Sequence, residues 1–332
     1  MKRIVIRTER KIHKEVFYDI VYEWEDAFCK ELDSKLFYAP DFRFGKHDIN
    51  QSLIVRTGLN LENILLRRKT AFAFEMFGQY NRSQIHSSHS AICIIDFYPT
   101  KDLLHSFYTT YKKVPYLFIS NREVYEFLIA NNPERTIYHM PLSLPDKYRI
   151  SKNTHYEKKY DLILVGRQNK QLMEWLIIFC KTHRLSYVYR KYINHEKKEF
   201  LYYTNNDTFV SNVVTRDDYF ELLRKCKIAF YSTPGIKGDP KHKVSNGFSQ
   251  VTPRYLELLS CGCHLMGTYT DNPDTRYYEL DSFVNKVNSY QQFENIIKQL
   301  LHKEVDMEKY SNYLENHYTS VRARQFLEFL NR

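Results

Sequence analysis

The segment Val251-Thr252-Pro253-Arg254-Tyr255-Leu256-Glu257-Leu258-Leu259-Ser260-Cys261-Gly262-Cys263 gathers side chains that can hold an anion and a diol. Thr252 reads as a helix N-cap, Pro253 as a first helical residue and Gly262 as the stop. Arg254 and Glu257 are three apart, so a helix makes them surface neighbours. A guanidinium forks onto phosphate oxygens, and a carboxylate accepts hydrogen bonds from both hydroxyls of a ribose. The N–H groups and macrodipole at a helix start add to the attraction for phosphate. This combination suits a nucleoside diphosphate. The same spacing also describes a solvated ion pair on an exposed helix, so the surrounding elements must decide.

Those elements read as α/β units, short apolar runs alternating with longer amphipathic stretches. In the first half, strands are expected at Arg3 to Arg7, Ser52 to Arg56, Thr70 to Glu75, Ala91 to Ile95, Tyr116 to Ser120 and Thr136 to His139. Helices are expected over Glu15 to Leu32, Leu61 to Leu66, Leu103 to Tyr111 and Arg122 to Asn131. Two prolines in Met140-Pro141-Leu142-Ser143-Leu144-Pro145-Asp146 mark a linker between domains. The pattern then restarts. Asp161 to Gly166 reads as a buried strand ending in glycine, with a helix over Leu172 to His183, strands near Ser186 to Tyr189 and Phe209 to Val214, a helix over Asp217 to Cys226 and a strand over Lys227 to Ser232. A polar loop, Thr233 to Gln250, leads into the motif helix, and His264 to Thr268 is the next strand. Loops of that length in compact domains are usually functional. Ligands of open parallel sheets bind outside the carboxyl ends of the strands. Gly166-Arg167, the loop and the 252–257 segment all fall at that edge, which favours a ligand over a solvated ion pair.

The bulk properties bound the partners. At 332 residues the chain is long enough for two domains, and 28 Tyr and 22 Phe beside only 9 Gly argue against disorder. A formal charge of +10 favours anionic partners. The basic residues are scattered through clusters such as Arg67-Arg68-Lys69 and Lys158-Lys159, without the long run of a nucleic-acid tail. The six cysteines are mostly isolated in apolar runs, and the strand-like start Met1 to Arg7 is no signal core, so a reduced cytoplasmic setting is expected. Cys261-Gly262-Cys263-His264 lacks a second ligand pair at zinc spacing, so no metal site is expected.

From about residue 160 to 325 the chain resembles the donor half of a GT-B glycosyltransferase, close to family 4, the "glycosyl transferases group 1". Glu257 and Gly262 match that family's Glu-x-x-x-x-Gly helix, and Gly166-Arg167 with Lys170 match the residues it places against the donor phosphates. His317-Tyr318-Thr319-Ser320-Val321-Arg322-Ala323 is similar to the run that opens its last helix. Ser249 stands eight residues before Glu257, where the family has a second glutamate. Arg7-Thr8-Glu9-Arg10 stands where a Gly-rich turn would follow the first strand.

The resemblance implies an α/β GT-B fold, with two Rossmann-like domains facing each other across a cleft. Residues 1–145 would form the acceptor-side domain, 146–310 the donor domain, and 311–332 a helix returning to the first. It implies transfer of a sugar from a nucleotide diphosphate sugar to a glycan or lipid-linked acceptor, in surface polysaccharide synthesis, without a cofactor or metal. Gly166, Arg167, Lys170, Ser249, Thr252, Arg254 and Glu257 would bind the donor. Asp96, ending the run Ala91 to Ile95, is the candidate general base of an inverting route. Its alternative role is a turn aspartate. His86 and His89 are weaker candidates. The basic charge allows peripheral contact with an anionic inner membrane face, and no nucleic-acid partner is expected. An inverting fucosyl-type or polyol-phosphate transferase is the alternative enzyme. A basic nucleic-acid or membrane-surface binding protein is the alternative without catalysis.

Overall fold

The computed structural model describes residues 3–11, 13, 18–38, 64–76, 87–131, 133–166, 169–194 and 199–331. The chain divides into two compact units, Met1–Asp146 with Tyr318–Arg332, and Lys147–His317. The expected strand at Ser52 to Arg56 lies outside the described residues, as does the start of the helix expected from Leu61.

The first unit is built on six parallel strands, β1 (Arg3–Thr8), β2 (Lys35–Tyr38), β3 (Lys69–Met76), β4 (Ser90–Ile95), β5 (Tyr116–Ile119) and β6 (Tyr138–His139), in the order β2-β1-β3-β4-β5-β6. Their continuous apolar runs, fully buried along β4, are what a sheet covered on both faces requires. Ile4, Ile6, Phe72, Cys93 and Phe118 meet Phe28 of the helix Asp19–Glu31 and Phe326 of the final helix, Thr319–Leu330. Rings Phe28, Phe72 and Phe326 pack with centroids 4.7 Å apart at each step through Phe72. The final helix is fixed at its start. Asp146 accepts from the Ser320 N–H at 2.8 Å and hydroxyl at 2.6 Å, and Leu144 accepts from the Thr319 N–H at 2.9 Å. A carboxylate there also complements the helix dipole.

Side chains brace the turn after β1. Thr8 Oγ1 donates to Glu25 at 2.6 Å, Arg10 Nε donates to the same carboxylate oxygen at 3.0 Å, and Arg10 also pairs with Asp26 at 2.7 Å. Glu9 takes Arg7 at 2.9 Å and His13 at 3.3 Å.

The second unit carries seven strands, β7 (Tyr160–Ile163), β8 (Tyr187–Asn194), β9 (Glu199–Thr204), β10 (Phe209–Ser211), β11 (Cys226–Ser232), β12 (His264–Thr268) and β13 (Val284–Lys286), in the order β10-β9-β8-β7-β11-β12-β13. The expectation of parallel pairing holds from β8 to β13 and fails at the other edge. There β9 and β10 return antiparallel in place of a single strand near Phe209 to Val214. Residues level across a parallel ladder point to one face. Ile163 is level with Val188 and Ala229, so Ile163, Val188, Ala229 and Tyr231 share a face. The opposite face, with Leu162, Leu164, Ile228 and Phe230, packs on Phe179 of the helix Lys170–His183 and on Phe293 and Ile297 of the helix Tyr290–Leu301. On the Ile163 face, Tyr231 meets Tyr255 of the helix Arg254–Ser260 at 5.7 Å.

Burial of Glu25, 2 % exposed, pushes its carboxyl up to about 7 from an ordinary value of 4.5, against the pull of Thr8 and Arg10. Between those values the folded chain binds the extra proton, so stability falls as pH rises through this window and is level above it. Glu25→Gln is expected to flatten that slope, worth at most on the order of 3 kcal/mol. Equilibrium urea unfolding from pH 4.5 to 8 checks this, and equal slopes in variant and parent would refute it.

Candidate functional site

Every strand of the β7–β11–β12 core ends at the same edge, and the motif helix is set against it by its own sequence. Gly262, at φ 60°, takes the left-handed C′ position. Its N–H donates to the Leu259 carbonyl at 2.9 Å and the Cys263 N–H to Leu258 at 3.2 Å, the two bonds of a Schellman stop. The helix starts one residue later than expected. Pro253 is the N-cap and the Thr252 side chain caps nothing. The Thr252 N–H instead donates to the Tyr231 hydroxyl at 3.1 Å, which pins the entry to β11. The Thr252 hydroxyl is buried without a hydrogen-bond partner among the described residues, and burial pushes the Tyr231 phenol up to about 12 against the pull of Thr252.

Arg254 and Glu257 do not pair with each other. Glu257, 5 % exposed, accepts from Arg216 at 2.7 Å, across from the helix Arg216–Arg224. A capping box of Thr215 and Asp218 starts that helix and fixes Arg216 in its first turn. Arg254 turns the other way. Its guanidinium lies over Gly166, where an added Cβ would fall inside it, and Gly166 has a φ of 65°. Only a glycine allows both the conformation and this close approach. Arg254 makes no ion pair among the described residues. Tyr219 stands beside this group; burial raises its phenol well above the usual range, the Glu257 charge adds to that, and Arg254 and Arg216 oppose it.

The remaining expected residues scatter more widely. Arg167 lies outside the described residues. Lys170 is exposed at the start of its helix, and its N–H donates to Gly238 at 3.1 Å. Asn169 caps this helix by accepting from the Gln171 and Leu172 N–H groups, and its amide reaches the Lys237 carbonyl at 2.9 Å. The loop from Thr233 to Gln250 is thereby tied to the same edge as Gly166. Ser249 is buried within that loop, 2.6 Å from the Thr233 hydroxyl, with its carbonyl accepting from Asn272 at 2.9 Å. In the first unit, Asp96 follows β4 in the left-handed region at φ 57°, exposed, and accepts from the Tyr98 hydroxyl at 3.0 Å. His89 precedes β4, at the opposite end from Asp96, and His86 lies outside the described residues. Cys261 and Cys263 are fully buried thiols facing backbone carbonyls, while His264 meets the Lys303 carbonyl at 2.8 Å. Among the described residues no three His, Cys, Asp or Glu side chains converge on one point.

Solved structures share this architecture along nearly the whole chain. A UDP-forming α,α-trehalose-phosphate synthase from Burkholderia xenovorans aligns at a TM-score of 0.55 and 9% identity, covering 100% of this chain and 99% of its own. The glycosyltransferase WaaG, involved in lipopolysaccharide biosynthesis, aligns at 0.54 and 8%, covering 98% and 99%. A UDP-GlcNAc 2-epimerase from Methanocaldococcus jannaschii, solved in complex with UDP-GlcNAc and UDP, aligns at 0.51 and 10%, covering 99% and 100%. The chain has a GT-B glycosyltransferase-like fold. No family model matches its sequence, and no curated protein matches it. The GT-B likeness, at such low identity, is one of fold. No described helix is long and apolar enough to cross a membrane.

Arg216 and Tyr219 were not singled out by sequence reasoning. The Thr215-x-x-Asp218 capping signal was present and would have placed Arg216 at a helix start, but nothing in the spacing links it to Glu257, 41 residues later. The Arg216–Glu257 pair is largely buried, and removing one partner strands the other. Glu257→Ala is expected to cost about 3–5 kcal/mol of stability. A thermal melt reads this directly; an unchanged melting temperature would mean that Arg216 finds water or another acceptor.

Proposed function

We propose that the chain is a glycosyltransferase that takes a sugar from a nucleotide diphosphate sugar and passes it to a glycan or lipid-linked acceptor, in surface polysaccharide synthesis. The observation that carries this reading is the Arg254 guanidinium. It lies against Gly166 at the carboxyl edge of the second sheet, with no carboxylate partner among the described residues, on the helix that also carries Glu257. Arg254, with Arg167 and Lys170, would meet the diphosphate and stabilise the charge that develops on it as the sugar leaves. Such stabilisation is commonly the largest catalytic term. With cations supplying it, the reaction needs no metal. Glu257 would accept from the ribose hydroxyls. A carboxylate has about four acceptor positions, and the bond from Arg216 occupies one while fixing the group's direction. Thr252 and Ser249 complete the proposed donor set.

Asp96 is proposed as the general base, at the carboxyl end of β4 in a conformation that aspartate tolerates better than most residues. A basic chain of +10 is suited to a peripheral place on an anionic inner membrane face, where a lipid-linked acceptor would be met. The same fold is shared by 2-epimerases, so transfer is distinguished from epimerisation by its dependence on an acceptor.

A melting panel of UDP, GDP, CDP and their sugars tests the donor reading, because a ligand bound only by the folded chain raises its melting temperature. At least one nucleotide is expected to do so, and Arg254→Gln should cut its affinity roughly 10- to 100-fold. A panel in which none raises it would overturn the reading. Asp96→Asn should slow release of the nucleoside diphosphate from its donor by about 100-fold or more while leaving donor affinity intact. Full turnover in that variant would clear Asp96 of the role.

A further inference from the structure

Strand β8 outruns the sheet it belongs to. Its last residue paired with β7 is Val188, level with Ile163, and the Leu164 N–H donates to the Val188 carbonyl at 2.8 Å. Residues 189–194 continue past that point, about 20 Å of extended chain, paired among the described residues with the antiparallel β9 alone. The hairpin therefore runs on past the carboxyl end of β7, the strand that leads to Gly166. Side chains alternate along it, so Arg190 and Tyr192 share the face of Val188, the face on which the helix Arg254–Ser260 packs. Across the ladder, Arg190 is level with Tyr202 and Tyr192 with Phe200.

We propose that Arg190 is a second anion-binding arm of the nucleotide site, sharing the diphosphate of the ligand with Arg254. The proposal rests on the nucleotide reading above and adds a residue outside the segments that suggested it. The Arg190 guanidinium sits 4.8 Å from the ring centroids of both Tyr192 and Phe200. A guanidinium stacked on rings keeps its N–H edges available, in the fork that matches phosphate oxygens. No carboxylate answers it among the described residues, whereas Arg7, Arg10, Arg149, Arg216 and Arg324 each have one. Beneath it, Tyr202 is 3 % exposed. Burial raises that phenol, and the Arg190 charge, with a smaller contribution from Arg254, pulls the other way. Two half-buried arginines without acidic partners, on one face of one sheet edge, complement a ligand bearing two adjacent negative charges. The diphosphate of a nucleotide sugar is such a group, and a monophosphate offers the second arm less.

The test is calorimetry with UDP, GDP, CDP and ADP, each beside its monophosphate, on the full chain. The parent should prefer a diphosphate, and Arg190→Gln should reduce that affinity roughly 10- to 100-fold while narrowing the ratio between diphosphate and monophosphate. Phe200→Leu, which removes one stacking ring and keeps the charge, should give an intermediate loss. Melting temperature without nucleotide should hold steady in Arg190→Gln, because the side chain is half-exposed. A parent that holds both phosphates equally, or a variant with an unchanged ratio while Arg254→Gln weakens binding, overturns the role of Arg190 alone. A parent that binds none of the eight compounds overturns the nucleotide reading with it.

Discussion

The buried ion pair between Glu257 and Arg216 organises the edge of the second sheet. Burying a carboxylate to 5 % exposure is costly without a partner, and Arg216 supplies one at 2.7 Å. This choice of partner has a consequence one helical turn away. Arg254, three residues before Glu257 and free to pair with it on an ordinary helix surface, is left without an acid among the described residues and lies over Gly166 instead. One arginine neutralises the carboxylate, and another keeps its charge. A single i, i+3 spacing is thereby resolved into two separate functions, one of direction and one of attraction.

Much of this was legible before any coordinates. The apolar runs that became β1, β3, β4, β5, β11 and β12 are buried on both faces, so their composition alone marks them. Gly262 was legible for a different reason. A left-handed C′ position has few occupants, and the carbonyls that its N–H and the next one satisfy are fixed by helix geometry. The N-cap was not legible at Thr252, because a neighbouring tertiary partner, the Tyr231 hydroxyl, claims its N–H and holds the residue outside the helix. Local propensity yields to such a contact.

The hairpin of β8 and β9 escaped notice on similar grounds. The sequence predicts a strand near Ser186 to Tyr189, which stops short of the two cations Arg190 and Lys191. The strand does continue, and beyond Val188 it no longer pairs with β7 and runs on in its ladder with β9. There a cation needs no burial: Arg190 is half-buried, and Lys191 and Tyr192 are exposed. Apolar content therefore located the strands that make the core and underestimated the one that projects from it.

The first unit shows the same principle at β1. A Gly-rich turn leaves backbone N–H groups bare and lets a ligand come close to them. Here Arg7-Thr8-Glu9-Arg10 fills that place, and its side chains are engaged with one another and with Glu25, Asp26 and His13. Because these ion pairs connect the turn to the helix Asp19–Glu31, the turn is braced by charge where glycines would have left it open. A residue introduced at Thr8 or Glu25 is thus felt through the whole network, and a nonpolar one leaves an arginine or a carboxylate half-buried and unanswered. The edge of β1 accordingly presents fixed side-chain charge rather than open backbone, which makes it a poor seat for a phosphate, whereas the edge of β7, with Gly166 beneath Arg254, keeps the close approach that a phosphate requires.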